Sequence, residues 1–435
     1  MMTNVNYKRY IIAAMLHDIG KAIISKTGKR NLHVYNKDRD KEKYEELKDV
    51  LIYDIDPGEN DIITHAILYH HDIEKSIYSK KCKCLEIINR ADREASGIRL
   101  EDEEKEKESN IIKIVYPWSL LSNNERYIKI YSILDIGANM DSNNIFGEKK
   151  LDDYRREWLE KYQEKFLKEL KMAIKSEDPD LVLAILYKWL YFYPESSGYS
   201  DKNYFSLAFH SKITAMLADL YYKLFNSNGS KSIYILTIDF VGTHKMLLSY
   251  MRRKKGLSEN EGKYLKKVNI ISRFIDAVVA YVARKILEIA DSYTTNILYI
   301  SGSQAKLVVA LDENQKKEIL DFINKLNKKI FPYSYGNSFI YVDGLDRKID
   351  FNMDEGLLNK IVSVLFQELE NVEEKRKDII ISLHEYLTKF NIDQLNDQIK
   401  DFYERLYESL KEETEDVIRV GDILGIEDDD EYKKD

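Results

Sequence analysis

Cysteine is nearly missing from this chain: two residues in 435, Cys82 and Cys84. Set one residue apart, they are poorly placed to bridge each other. No second pair exists for a four-cysteine zinc site, so both are expected to be ordinary thiols at a helix start. No apolar run approaches the ~18 residues that a membrane span needs. The opening MMTNVNYKRY lacks the order of a signal peptide. A cytoplasmic protein with no membrane contact is expected. Positive charge is not in excess either. The formal net charge of −8 excludes a wholly basic nucleic-acid coat and leaves only local patches. No internal repeat is found.

What the chain does hold is enough apolar residue, 44%, to form cores. Its length corresponds to roughly three domains. Five of its eight histidines fall within the first 71 residues. The stretch AAMLHDIGK (13–21) runs an apolar helix into adjacent His17 and Asp18, and Gly20 then lets the chain turn. Such a pair at the buried end of a helix is costly unless something satisfies it. A structural hydrogen bond would do so, and so would a divalent cation, for which neutral imidazole and carboxylate are standard ligands.

Two later stretches favour the cation. Residues 60–74 read as a helix carrying His65, His70 and His71, with His70 on the inward stripe of Ile63, Ala66 and Ile67. In CLEIINRADREASGIR (84–99), Leu85, Ile88, Asp92 and Ala95 lie at helical spacing, which sets a carboxylate in an apolar face. Arg90 and Arg93 point elsewhere on the wheel. HD, then HH, then D, each on its own helix, describes a helical metal pocket. His33 sits in a highly charged stretch and is expected at the surface. Whether it or His65 joins the shell is left open.

Residues 101–109 are a mixed-charge run, expected to be a solvated linker. IVYPWSLLS (114–122) is expected to tuck against a core. Residues 150–190 read as amphipathic helix. A buried-looking helix follows with His210 on it, and a lone histidine there is expected to be a satisfied core residue. From 230 the pattern changes. SIYILTID, a long helix, NILYISG, AKLVVAL, a second helix and SFIYVDG give the order β-α-β-β-α-β of a ferredoxin-like unit. Nucleotide-polymerising palms use this arrangement and hold two metals on acids of the first strand and central hairpin. Asp239 is placed for the first acid, but the hairpin ISGSQAK carries none, so two metals cannot be held there. The densest basic patch, Arg252, Arg253, Lys254, Lys255, Lys266 and Lys267, suits phosphate contact or a solvated loop equally. No nucleotide-binding residue is assigned. Amphipathic helix follows, and the acidic end IEDDDEYKKD is expected to be disordered.

Seven stretches, LHDIGK, YHH, ADREASGIR, YPWSLLS, FSLAFHSKITA, TIDFVGTHK and NILYISGSQAK, resemble in order the large subunit of type III CRISPR effector complexes, over residues 10–345. In that family an HD domain cuts single-stranded DNA with divalent metal. A first palm, a zinc module and a second palm follow, and the second palm's GGDD motif makes cyclic oligoadenylate. The resemblance implies metal ligands His17, Asp18, His70, His71 and Asp92, with His17 and Asp18 catalytic and Lys21 near the scissile phosphate. It implies a Mn, Ni or Mg cofactor. The partners it implies are other effector subunits, guide RNA and a single-stranded DNA substrate; for the absent second palm three alternatives stay open, a split subunit whose separate partner chain carries the GGDD palm, a shortened gene, and a relative reduced to other work. Here there is no GGDD, no cysteine module, and DFVGTHK in place of a small-residue turn.

The expected fold class is α+β: an all-α HD domain (1–105), a helical linker (106–228), a ferredoxin-like palm lacking catalytic acids (229–346) and a helical C-terminal segment (347–435). Three functions compete: a metal-dependent nuclease subunit, a non-catalytic scaffold of such a complex, and a free-standing HD phosphohydrolase.

Overall fold

The structure is a computed structural model and describes residues 6–36, 38–56, 60–78, 83–96, 111–115, 127–128, 149–194, 202–203, 206–227, 229–243, 246, 261–333, 338–351 and 356–370. It divides into two compact units, Met1–Asn228 with Gly356–Leu358, and Gly229–Glu355 with Asn359–Asp435. No helix among the described residues is long and apolar enough to cross a membrane.

The first unit contains helices α1 (Tyr7–Leu16), α2 (Lys41–Leu47), α3 (Ile62–Tyr69) and α4 (Cys84–Ser96). Four short strands, β1 (Ile111–Val115), β2 (Tyr127–Ile128), β3 (Lys149–Lys150) and β4 (Lys202–Asn203), form a small sheet around β1. Helices α5 (Leu151–Lys161), α6 (Gln163–Lys175), α7 (Pro179–Leu190) and α8 (Leu207–Asn226) complete it. Every residue of α1 from Tyr10 to Leu16 is buried. A helix apolar all round must be central, and α1 packs on α3, α7 and α8, while α8 also packs on α4. Asn6 caps α1 by accepting from the Lys8 amide. Arg9 clamps the start of α3 through two bonds to the Asp61 carboxylate. The expected linker thus includes a small sheet as well as helices. Cys84 is disulfide-bonded rather than the ordinary thiol expected. Cys82, the only other cysteine of the chain, lies outside the described residues.

The second unit is the β-α-β-β-α-β arrangement: β5 (Ser232–Val241), α9 (Glu261–Ile289), β6 (Ile297–Ser301), β7 (Gln304–Leu311), α10 (Glu313–Tyr333) and β8 (Phe339–Asp343). The sheet order is β6-β7-β5-β8 with each pairing antiparallel, and β9 (Lys348–Ile349) also pairs with β5. Tyr234, Leu236, Ile238 and Phe240 alternate along β5 and face one core with Leu307, Val309, Val278, Val282, Ile286 and Ile319. That period of two is the half-buried strand pattern. Asn327 of α10 bonds both the amide and the carbonyl of Ile340, which covers part of edge strand β8. The last described helix is α11 (Leu357–Glu370). The later stripe from Ile380 to Phe390 and the acidic end lie outside the described residues.

Candidate metal centre

Two helix ends meet at the site. His17 is the C-terminal cap of α1 and His70 that of α3. The last carbonyls of a helix lack intrahelical donors. His17 Nδ1 donates to the Ala14 carbonyl at 2.9 Å and His70 Nδ1 to that of Ala66 at 2.8 Å. Each bond fixes the tautomer and leaves a lone pair on Nε2 aimed inward, the outer-shell arrangement of metal-ligating histidines. The negative ends of two helix dipoles also favour a cation here. The helix expected over 60–74 stops at Tyr69. Neighbours inside a helix do not share a face, so this stop lets His70 and His71 approach the same place, their ring centroids 3.9 Å apart.

Asp18 lies between two groups of ligands. Asp18, His33, His70 and His71 form one; His17, Asp18, Asp92 and His210 form the other; within each, one atom per residue lies within 4.8 Å of the rest. Asp18 Oδ1 faces His70 Nε2 at 3.3 Å and His33 Nε2 at 3.5 Å. Its Oδ2 faces His210 Nε2 at 3.3 Å and His17 Nε2 at 3.5 Å. Asp92 Oδ1 lies 3.3 Å from His17 Nε2 and 3.1 Å from His210 Nε2. Lys21 Nζ donates to Asp18 Oδ2 at 2.5 Å. All of these ligands except His71 are buried.

Burial pushes the Asp18 carboxyl up, but Lys21 first, then His17 and His33, draw it well below the usual carboxylate range. Asp92 shows the same balance, burial opposing and His17 prevailing, and also ends well below. Burial drives His33 well below the ordinary histidine range against the pull of Asp18. His71 is lowered to about 4, by burial first and by His70 second. Ionised carboxylates and neutral imidazoles are the forms that bind metal. Asp18 Oδ1 and His70 Nε2 are both buried without a hydrogen-bond partner. Two acceptor lone pairs facing each other at 3.3 Å are uncompensated until a cation lies between them. The residues therefore fit a pair of divalent ions sharing Asp18.

Of the residues singled out in the sequence, the structure brings His17, Asp18, Lys21, His70, His71 and Asp92 together. It adds two that sequence reasoning set aside. His33, expected at the surface, is buried, because the turn after Ile24 returns the chain beside Gly20: the Leu32 amide bonds the Gly20 carbonyl at 3.1 Å and the Ile23 carbonyl at 2.8 Å. A Cβ on Gly20 would stand 2.8 Å from His33 Cα, so glycine admits His33 to the site. His210, expected to be a satisfied core residue, points its Nε2 into the second group from the first turn of α8. His65 is not in the cluster and faces Ser76 Oγ at 2.9 Å. Asp239 stands in register with Gln304 and Tyr341 on its two sides. Lys266 and Lys267 fall in α9, and Arg252, Arg253, Lys254 and Lys255 lie outside the described residues.

The chain matches the HD domain family over residues 2–114 and the family described as Csm1 subunit domain B over residues 263–391. It is 23% identical, over 72% of its length, to "CRISPR system single-strand-specific deoxyribonuclease Cas10/Csm1 (subtype III-A)" of Streptococcus thermophilus, of which it covers 42%. Among solved structures it resembles Csm1 of T. onnurineus, with TM-score 0.56 and 14% identity, over 86% of this chain and 50% of that one. It also resembles an apo Csm1–Csm4 cassette, with TM-score 0.54 and 15% identity, over 78% and 44%. It spans about half the length of these relatives or less. An HD domain followed by Csm1 subunit domain B, on a fold like that of Csm1, makes this chain a Cas10/Csm1-like protein that corresponds to part of the large subunit of type III CRISPR effector complexes.

Proposed function

We propose that this chain is a metal-dependent phosphodiesterase acting on single-stranded DNA within a type III CRISPR ribonucleoprotein in the cytoplasm. The observation that carries this reading is the buried Asp18 carboxylate shared by two ligand groups, its Oδ1 opposed to the His70 Nε2 lone pair at 3.3 Å. His17, Asp92 and His210 with Asp18 would hold one cation, and His33, His70 and His71 with Asp18 the other. Such a pair, when bound, supplies an activated water and neutralises charge on a phosphodiester. Three imidazoles in one group and two in the other favour Mn or Ni over Mg, which prefers oxygen ligands.

The protein's own groups do the positioning. The Ala14 and Ala66 carbonyls hold the His17 and His70 rings. Lys21 offsets the Asp18 charge from the open side, its side chain 17% exposed, where its ammonium can take up a phosphate oxygen. Residues 1–105 would form the nuclease domain, 106–228 a linker that lends His210, 229–346 a palm-like unit and 347–435 a C-terminal helical part. With Gln304 opposite Asp239, the palm-like unit acts as scaffold, and a separate GGDD-bearing chain would make any cyclic oligoadenylate. The solved relatives titled as Csm1–Csm4 cassettes support a Csm4-like partner alongside guide RNA. Arg252, Arg253, Lys254, Lys255, Lys266 and Lys267 would add phosphate contacts.

The test is cleavage of a single-stranded oligonucleotide by the full chain in Mn²⁺ or Ni²⁺. Asp18→Ala should abolish cleavage; full activity in that variant would end this reading. Release of phosphate from free nucleotides with no DNA cleavage would replace it with a nucleotide phosphohydrolase.

A further inference from the structure

The rim of the metal centre carries an aromatic ring that the hydrolytic chemistry does not use. Tyr35 is 53% exposed. Its ring lies nearly parallel to that of His71, with centroids 5.1 Å apart and planes 19° apart, and stands edge-on to His33 at 4.4 Å. The backbone beneath it is fixed. Asp40 Oδ2 accepts from the amides of Tyr35 at 2.9 Å and Asn36 at 3.2 Å. Asn36 Nδ2 donates to Asp72 Oδ2 at 3.1 Å, which ties the loop to the residue after His71. Lys43 Nζ lies over the ring, 5.9 Å from its centroid, and is ion-paired with Asp40 Oδ1 at 3.3 Å, which places an ammonium group beside the same surface.

An exposed aromatic on a pinned loop, beside an ammonium and set against two ligands of one of the proposed cations, is an arrangement suited to gripping a single strand. Bases stack on the ring while lysine meets the backbone. A duplex keeps its bases stacked on one another and offers none to such a ring. We infer that Tyr35 is a stacking platform for the nucleobase next to the scissile phosphate, and that it selects unpaired, base-bearing strands. The fixed loop lowers the ordering cost of that contact. The inference rests on the phosphodiesterase reading above and names a substrate-contacting residue for it.

The test uses the full-length chain loaded with Mn²⁺ and two single-stranded oligonucleotides of equal length, one normal and one built of abasic tetrahydrofuran residues. Tyr35→Ala should raise KM and Kd for the normal strand by about tenfold, within the range found for losing one stacked base, with kcat and bound metal little changed. The abasic strand should not distinguish Tyr35→Ala from the parent, and Tyr35→Phe should restore the KM. Equal losses on both strands, or metal lost from Tyr35→Ala, would overturn the inference and make Tyr35 a support for His71. Parent protein that binds the two strands equally would overturn it as well. Parent protein that cleaves neither strand would defeat the phosphodiesterase reading itself, whereas cleavage that Tyr35→Ala leaves untouched defeats only the stacking platform.

Discussion

The two units of this chain treat polar groups in opposite ways. The sheet unit buries Leu236, Ile238, Phe240, Leu307 and Val309 against Val278, Val282 and Ile286, an apolar core in which each contact stabilises the fold. The helical unit buries two carboxylates and four histidines in one place. Burying such groups costs several kcal/mol each unless they are paired, and Asp18 Oδ1 and His70 Nε2 are buried there without a hydrogen-bond partner. A cation bound between them would offset that cost. On the sheet unit, Asp239 stands in register with Gln304 rather than with a second carboxylate. On the function proposed above, the difference assigns the chemistry to the helical unit and a scaffold's role to the sheet unit.

The sharpest attempt to break this contrast removes the shared ligand. Outer-shell partners of metal ligands are worth about 10–100-fold, so Asp18→Ala, which removes a ligand common to both groups, should cost more than about a hundredfold in turnover. Metal analysis of the purified protein should then show both ions lost, whereas His33→Ala and His210→Ala should each lose one. Identical metal content in all three variants would mean that the two groups are not separate sites. The matching attempt on the other side is Leu236→Ala, a large-to-small change in a closed apolar core that should cost about 2–5 kcal/mol. Denaturant titration should register that loss while bound metal stays at the parent level.

Much of this contrast was legible in the residues, and the part that was not has a physical reason. The sheet unit announced itself through apolar runs of strand length separated by long amphipathic helices, and the sheet order follows from that sequence of elements. Asp92 was legible because helical periodicity is local, and a carboxylate at an apolar position breaks it. His33 was not, because its burial comes from the close approach of residues 32–33 to Gly20, and no local pattern records such an approach. The charge density around it suggested water. His210 was hidden for the opposite reason: on a helix buried almost throughout, a ligand and a core histidine leave the same pattern. The separate bonds of His17 and His70 to their own helices show why both rings sit at helix ends, where free carbonyls wait.

Smaller effects sharpen the contrast. Gly20→Ala places a methyl 2.8 Å from His33 Cα and 3.0 Å from the Leu32 oxygen, backbone atoms that cannot rotate away. Overpacking of that kind costs about 1–3 kcal/mol, and here it should also displace His33 and lower metal content. Acid should act on the helical unit through His33 and His71. Burial holds both below the ordinary 6.5 when folded, His71 to about 4. Between those values the unfolded chain binds protons that the folded chain refuses, so stability rises with pH there and falls as pH drops. With metal removed by chelator, Tm should decline from pH 6.5 toward pH 4, and His71→Phe should flatten part of that decline. A Tm unchanged over that window would show that neither imidazole is held neutral by the fold.

The smallest expected effect concerns the histidine that the cluster excludes. His65 lies on α3 with its Nδ1 2.9 Å from Ser76 Oγ and its ring against Tyr69 and Tyr78. It is buried, as the ligands are, so burial does not separate the two kinds of histidine. What the ring faces does: His65 meets a hydroxyl and two aromatic rings, while His70, five residues later, has its Nε2 3.3 Å from the Asp18 carboxylate. His65→Gln should therefore lose about one hydrogen bond, roughly 1 kcal/mol, seen as a small drop in denaturation midpoint. Metal content and cleavage should not change. If His65→Gln instead released metal as His33→Ala is expected to, the cluster would extend along α3, and the division between structural and ligating histidines drawn from a facing carboxylate would be wrong.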